Sequence, residues 1–262
     1  MTPATVPGGG PAGRPGPRLH WGWTMGLTFV LLAGAAAVVL HSPWLQLRDI
    51  EVVGAEQADV AGRLERAGIG PGAYMIWLRP GEIAEAVGAD PWVREVRVER
   101  LFPSRLVVEV REHTPAVWVG EGEEWMLLSR AGIVVAAASA PGEGLLRARL
   151  PYEQWDVGRR PSGAAWSELI ELGTVLSPAL AAESWVSSEA GELWIAARGF
   201  RARLGTAFDL ADKGRAFEAL LASDLPDGAV IDLVAPTRPA VSVPGALPDE
   251  EGEPVVEGED GE

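Results

Sequence analysis

Residues 91–116 read PWVREVRVERLFPSRLVVEVREHTPA, and this stretch decides how the chain around it folds. Apolar residues alternate with mostly charged ones around positions 96–98 and again along positions 106–110. Alternation with a period of two is typical of strands that bury one face. Between the two runs, Leu101–Phe102–Pro103–Ser104 places a proline where no ladder hydrogen bond is needed. The stretch therefore predicts an antiparallel hairpin that ends in Glu112-x-x-Pro115.

Composition narrows the class of protein. Of the 262 residues 47% are hydrophobic, which is typical of a chain with a packed core, and cysteine is absent, which excludes disulfides and thiolate metal sites. The net charge is −15 and Lys213 is the single lysine, so we expect no nucleic-acid partner. Residues 1–20, rich in Gly and Pro, and the acidic residues 245–262 are predicted to be disordered tails.

An uncharged segment of twenty residues runs from Trp21 to Leu40. A helix of this length spans roughly 30 Å, so the sequence predicts a transmembrane helix over residues 21–41. Interfacial anchors are expected at Trp21, Trp23 and Trp44, and Arg14 and Arg18 place the N-terminus in the cytoplasm. A cleaved signal peptide is the alternative, because small residues at 33–37 resemble a cleavage site. Gly22 and Gly26 have the GxxxG spacing of associating helices.

Beyond that segment the pattern predicts a short strand near residues 50–54, a helix near 60–67 with Asp59 as its N-cap, a second helix near 82–87, and then the hairpin. The order is strand, helix, helix, strand, strand. Further along, WMLLSRAGIV at 125–134 predicts two strands joined by a turn at Gly132.

This order, with VVG at 52–54, PWV at 91–93, FPS at 102–104 and EHTPA at 112–116, resembles the POTRA domain of the FtsQ/DivIB cell-division family. The resemblance extends to a late strand at 200–205, a helix carrying Lys213 and a closing strand at 229–233. It implies an α+β protein with one N-terminal transmembrane helix, a POTRA domain at 45–114 and a β-rich domain with flanking helices at 115–244.

No residue pattern indicates catalysis. The three histidines have no metal-ligand spacing, and no nucleophile motif is present, so we expect no enzyme activity, no cofactor, no metal and no small-molecule substrate. Carboxylates on the hairpin are expected to face solvent. Tryptophans 118, 125 and 194 lie in apolar strand patterns and are expected in the core rather than in a sugar-binding platform.

The resemblance implies a bitopic (type II) scaffold at the division septum that links early and late division proteins and septal peptidoglycan synthesis. It implies FtsB-like and FtsL-like partners, with the FtsB-like protein adding a strand at an exposed sheet edge. The residues expected there are Val230, Ile231, Asp232, Leu233, Ala240, Val241, Ser242 and Val243. An ordinary closing strand, blunted by Pro236, Pro239 and Pro244, is the alternative for this edge.

The chain departs from the family pattern at one position, and two other functions are alternatives. Family members commonly carry an arginine after the closing Asp-apolar pair, where this chain has Val234-Ala235-Pro236, so a contact made by that arginine is in doubt. A component of a protein-secretion or envelope-assembly system would also carry a POTRA domain, usually in tandem or before a membrane barrel. A membrane-anchored cell-wall hydrolase would need a catalytic constellation that the sequence does not show.

Overall fold

The structure of the chain is a computed structural model that describes residues 21–151 and 155–243, without the side chains of residues 21, 22, 24 and 39. The predicted tails lie outside the described residues. Within them, the helices are α1 (Trp21–Leu40), α2 (Val60–Arg66), α3 (Pro80–Gly88), α4 (Ala165–Val175), α5 (Pro178–Glu183) and α6 (Leu210–Leu221), with a short 3₁₀ helix at Pro43–Leu45.

The strands of the described residues are β1 (Asp49–Val53), β2 (Val93–Leu101), β3 (Arg105–Glu112), β4 (Pro115–Glu121), β5 (Glu124–Ser129), β6 (Val134–Ala138), β7 (Leu146–Arg149), β8 (Trp185–Glu189), β9 (Glu192–Ala197), β10 (Phe200–Gly205), β11 (Val230–Asp232) and β12 (Ala240–Ser242). They form two sheets, one with the order β1-β3-β2 and one with the order β12-β11-β10-β9-β8-β7-β4-β5-β6.

The predicted hairpin forms the smaller sheet. β2 and β3 pair antiparallel from Val93–Glu112 to Leu101–Arg105. β1 lies parallel to β3 on its other side, and this arrangement requires a crossover connection, which α2 and α3 supply. The predicted order of strand, helix, helix, strand, strand is therefore confirmed.

One face of this small sheet is buried as the alternation predicts. Leu106, Val108 and Val110 are buried and pack with apolar side chains of α2 and α3. Glu112, the first residue of the Glu-x-x-Pro exit, accepts hydrogen bonds from the backbone N–H groups of residues 56, 57 and 58, each at 2.8 Å, through Oε1. Its carboxylate therefore ties the end of the hairpin to the loop before α2.

The larger sheet begins at Pro115, the first residue of β4, where its missing N–H is tolerated. β5 and β6 form as predicted around a turn with Gly132 at a φ of +75°. Helices α4, α5 and α6 cover one face, and their apolar side chains and the inward residues of the strands form one continuous core. The predicted α+β class is confirmed.

The described residues cover the other face of the larger sheet only at one end. There Trp118 and Trp125 are buried with Leu127 and Val135, and Trp92, the residue before β2, packs against them. The core position expected for Trp194 is wrong, because this residue lies half-buried on the open part of the same face. The guanidinium of Arg201 stands 4.9 Å over its ring.

Helix α1 spans twenty residues, and the apolar side chains described for it are exposed on all sides, from Trp23 to Val38. Across the described residues, no helix reaches the combination of length and apolar character needed to cross a membrane. The membrane span predicted from the sequence is therefore not confirmed.

Candidate partner-binding edge

The residues expected at a partner edge lie together at one end of the larger sheet. β11 is an inner strand, parallel to β10 on one side and antiparallel to β12 on the other. Ile231 and Leu233 are fully buried and cannot touch a partner directly. Residues 240–243 are exposed, and within the described residues no strand pairs with the outer side of β12. The free edge is therefore β12, and β11 supports it.

Strand pairing aligns apolar side chains in a row on the helix-covered face of the larger sheet. Val186, Ile195, Ala202, Ile231 and Val241 are direct neighbours from β8 to β12. The first four side chains are fully buried, whereas Val241 is 42% exposed at the end of the row. Directly opposed apolar side chains stabilise paired strands. An added strand with an apolar side chain opposite Val241 would extend this row by one member.

On the open face, Arg203 of β10 joins three strands. It donates two hydrogen bonds to the Glu192 carboxylate of β9, both at 2.6 Å, and one to Asp232 Oδ2 of β11 at 3.1 Å. These hydrogen bonds are the main reason why the pKa of Glu192 is lowered and that of Arg203 is raised. The network holds β11 in register beside β10.

Two short hydrogen bonds fix the chain at the end of β11. Leu233 donates its N–H to the carbonyl of Arg203 at 2.8 Å, and Asp232 Oδ1 accepts the N–H of Val234 at 2.9 Å. Val234 replaces the arginine that the resemblance led us to expect, and it packs closely over Gly205, whose backbone has a positive φ. An arginine contact at position 234 is therefore absent from this chain.

Lys213, on α6, supports the same region from the buried side. Its Nζ donates to the carbonyl oxygens of Leu204 at 2.7 Å and Thr206 at 3.3 Å, at the end of β10. Burial lowers the pKa of this ammonium, and the charges of Asp209 and Glu168 partly oppose the effect. The lysine fixes the start of α6 against β10, so its role in the structure is to position these two elements.

Sequence reasoning missed the network around Arg203. The sequence could have indicated part of it, because Arg201 and Arg203 alternate on one strand and Glu192 lies on the preceding strand. Only the sheet order brings Asp232, nearly thirty residues further on, beside Arg203. No group of three potential metal ligands occurs among the residues that the structure describes. The geometry at this end of the sheet is suited to binding a strand.

Comparisons with known proteins agree with this architecture. A family profile described as "POTRA domain, FtsQ-type" matches residues 45–113. The chain is 29% identical over 140 residues to cell division protein FtsQ of Anaeromyxobacter sp. (strain K), covering 51% of this chain and 47% of that protein. It is 33% identical over 108 residues to cell division protein FtsQ of Myxococcus fulvus, covering 40% of this chain and 38% of that protein.

A longer match extends into the larger sheet. Cell division protein FtsQ of Novosphingobium aromaticivorans is 24% identical over 224 residues, which cover 82% of this chain and 67% of that protein. The chain spans roughly half or less of the length of the two relatives from Anaeromyxobacter and Myxococcus. These findings define a POTRA-domain protein of the FtsQ type. Residues 45–113 are thus a POTRA domain of the FtsQ type, and the chain is similar to several proteins named cell division protein FtsQ.

Proposed function

We propose that this chain is a non-enzymatic scaffold of the division machinery and that it binds a partner by accepting a strand at the outer edge of β12. The free edge with Val241 at the end of a buried apolar row carries this proposal. Backbone groups of the edge would supply affinity, and the side chain opposite Val241 would supply selectivity. An FtsB-like protein would be this partner, and an FtsL-like protein would join it.

The scaffold would link early and late division proteins and septal peptidoglycan synthesis, with both sheets outside the cytoplasmic membrane. Support for the anchor comes from α1, whose twenty residues carry no charge and whose large apolar side chains described between Trp23 and Val38 are exposed. Exposed apolar surface of this extent is stable in an apolar environment. Trp23 and Trp44 would then lie at opposite membrane interfaces.

Proline substitutions along β12 test the edge. Successive N–H groups of an edge strand point alternately toward the neighbouring strand and away from it, so position 241 has one phase and positions 240 and 242 the other. Ala240→Pro, Val241→Pro and Ser242→Pro are made singly, and each variant is checked for folding by circular dichroism. Proline in the outward phase should leave the fold intact and abolish co-purification of the FtsB-like partner.

Proline at a position whose N–H points toward β11 is the matched control. It removes a hydrogen bond to β11 and should lower the stability of the fold. Each free N–H contributes about 0.5–1.5 kcal/mol through its hydrogen bond, so an outward proline weakens binding roughly two- to twelvefold before steric exclusion is added. Partner binding that stays at the wild-type level in every folded variant would show that the partner uses another surface.

Localisation tests the wider proposal. A fluorescent fusion of the full chain should form a ring at the septum of dividing cells, and depletion should produce filaments. Diffuse envelope signal together with normal division would contradict a division scaffold.

A further inference from the structure

Three segments meet at one end of the smaller sheet. The chain at residues 45–47 is hydrogen-bonded to residues 73–75, with Leu47 N–H donating to Ala73 O at 2.7 Å and Met75 N–H donating to Leu45 O at 2.8 Å. One residue further on, Arg48 N–H donates to Ser104 O at 2.9 Å in the hairpin turn. Arg100 closes the arrangement by donating to Leu78 O at 2.7 Å.

Each of these segments presents a large apolar side chain to solvent. Trp44 is 77% exposed, Trp77 is 67% exposed and Phe102 is 58% exposed. Ile76 and Leu101, beside them in the chain, are exposed as well. We call these five side chains the aromatic rim. The rim is rigidly built, because the backbone that carries it is fixed by the hydrogen bonds given above.

The aromatic rim lies where α1 joins the smaller sheet. α1 ends at Leu40, and His41 still donates its N–H to Ala37 O at 3.0 Å, so the helical turn continues to within three residues of Trp44. The His41 ring meets the Tyr74 ring edge-on, with centroids 6.0 Å apart. Arg48 and Arg79, next to the rim in sequence, are exposed; the Arg79 guanidinium pairs with Glu82 at 2.6 Å, and that of Arg48 donates to Pro43 O at 3.3 Å.

We propose that the aromatic rim binds the headgroup region of the lipid bilayer and holds the POTRA domain against the membrane surface. This inference rests on the proposed membrane anchor, because α1 would bring the rim to the level of the lipid headgroups. Tryptophan and phenylalanine side chains bury apolar rings near the acyl chains, and tryptophan keeps its N–H among polar groups. Arg48 and Arg79 would pair with lipid phosphates.

Single cysteines report the depth of each site, since the native sequence has none. Full-length chains with Trp77→Cys or Phe102→Cys are labelled with the NBD fluorophore and reconstituted into vesicles of phosphatidylcholine and phosphatidylglycerol that contain nitroxide-labelled lipid. Gln57→Cys is the matched control, because Gln57 is exposed and is hydrogen-bonded to Glu112 at the opposite end of β3 from Ser104. Leu31→Cys, in the middle of α1, reports insertion of the anchor.

Strong quenching at 77 and 102, several-fold greater than at 57, is the expected result. If NBD fluorescence is quenched at position 31 but positions 77 and 102 behave like position 57, the result supports the membrane anchor and overturns the rim proposal. If 77 and 102 are quenched and 31 is not, the rim binds lipid without the anchor. Quenching at none of the four positions overturns both.

A second measurement places the label next to the two aromatic rings, so that Trp77 and Phe102 can be kept or replaced. With the label at Ile76→Cys, the chain with native Trp77 and Phe102 should be quenched, and the pair Trp77→Asp and Phe102→Asp should remove most of that quenching. Equal quenching with and without the aspartates would overturn the assignment to these two rings.

Discussion

Replacing Ile231 by alanine should cause local opening of β11 and β12 while leaving the rest of the larger sheet folded. Ile231 is fully buried at the fourth position of the apolar row, and β11 is only three residues long. With Leu233, it is one of two fully buried side chains that tie this end of the sheet to the core. Loss of its packing therefore acts on β11 and on β12 beyond it.

The magnitude follows from the atoms removed. Ile→Ala deletes three carbon atoms, which corresponds to about 2.5 kcal/mol of transfer free energy, and the total cost of such truncations, with the cavity and partial relaxation included, is roughly 2–5 kcal/mol. Because β11 and β12 are held by short ladders, we expect most of this cost to appear as local opening. A local cost of about 3 kcal/mol would raise amide exchange at residues 230–242 by roughly two orders of magnitude.

Hydrogen exchange followed by mass spectrometry measures this directly, and Ile195→Ala is the matched control. Ile195 is equally buried in the same row, but β9 is an inner strand, so its loss should lower the stability of the whole sheet without selective exchange at the edge. Ile231→Val, expected to cost about 0.5–1.5 kcal/mol, gives a milder second variant. Equal exchange profiles for Ile231→Ala and Ile195→Ala would refute local support of the edge by Ile231.

Two further predictions concern packing and pH. In α4, a Cβ at Gly173 would lie 2.9 Å from the backbone oxygen of Ala116, so Gly173→Ala should lower the melting temperature, whereas Gly88→Ala in α3 meets open space and should raise it slightly. Burial and, secondarily, Arg94 lower the pKa of His113 below 6.5. The unfolded chain therefore takes up a proton first, and unfolding free energy should decrease as pH falls below about 6.5, less so in His113→Gln. Thermal and urea unfolding measure these effects, and the opposite signs would contradict the packing and pKa assignments.

Local pattern in the sequence determined much of the fold. The hairpin at 91–116 was predicted because alternation with one buried face depends only on neighbouring residues, and the β5–β6 turn was predicted because Gly132 tolerates a positive φ. The same stretch carried the resemblance to the FtsQ/DivIB family. The segment at 140–195 had no comparable pattern, since its short strands β7 and β8 pair in parallel with partners distant in sequence.

Sheet order determined the candidate site. The family resemblance implied that residues 230–233 and 240–243 lie at one edge, and only the tertiary structure showed that β11 is covered by β12 and that Val241 ends a buried row. Likewise, the apolar strand pattern around Trp194 predicted a buried side chain, although the face of β9 on which it lies is open. A strand's own residues specify that one face differs from the other. Which face is covered, and which edge stays free, depends on elements brought together from distant parts of the chain.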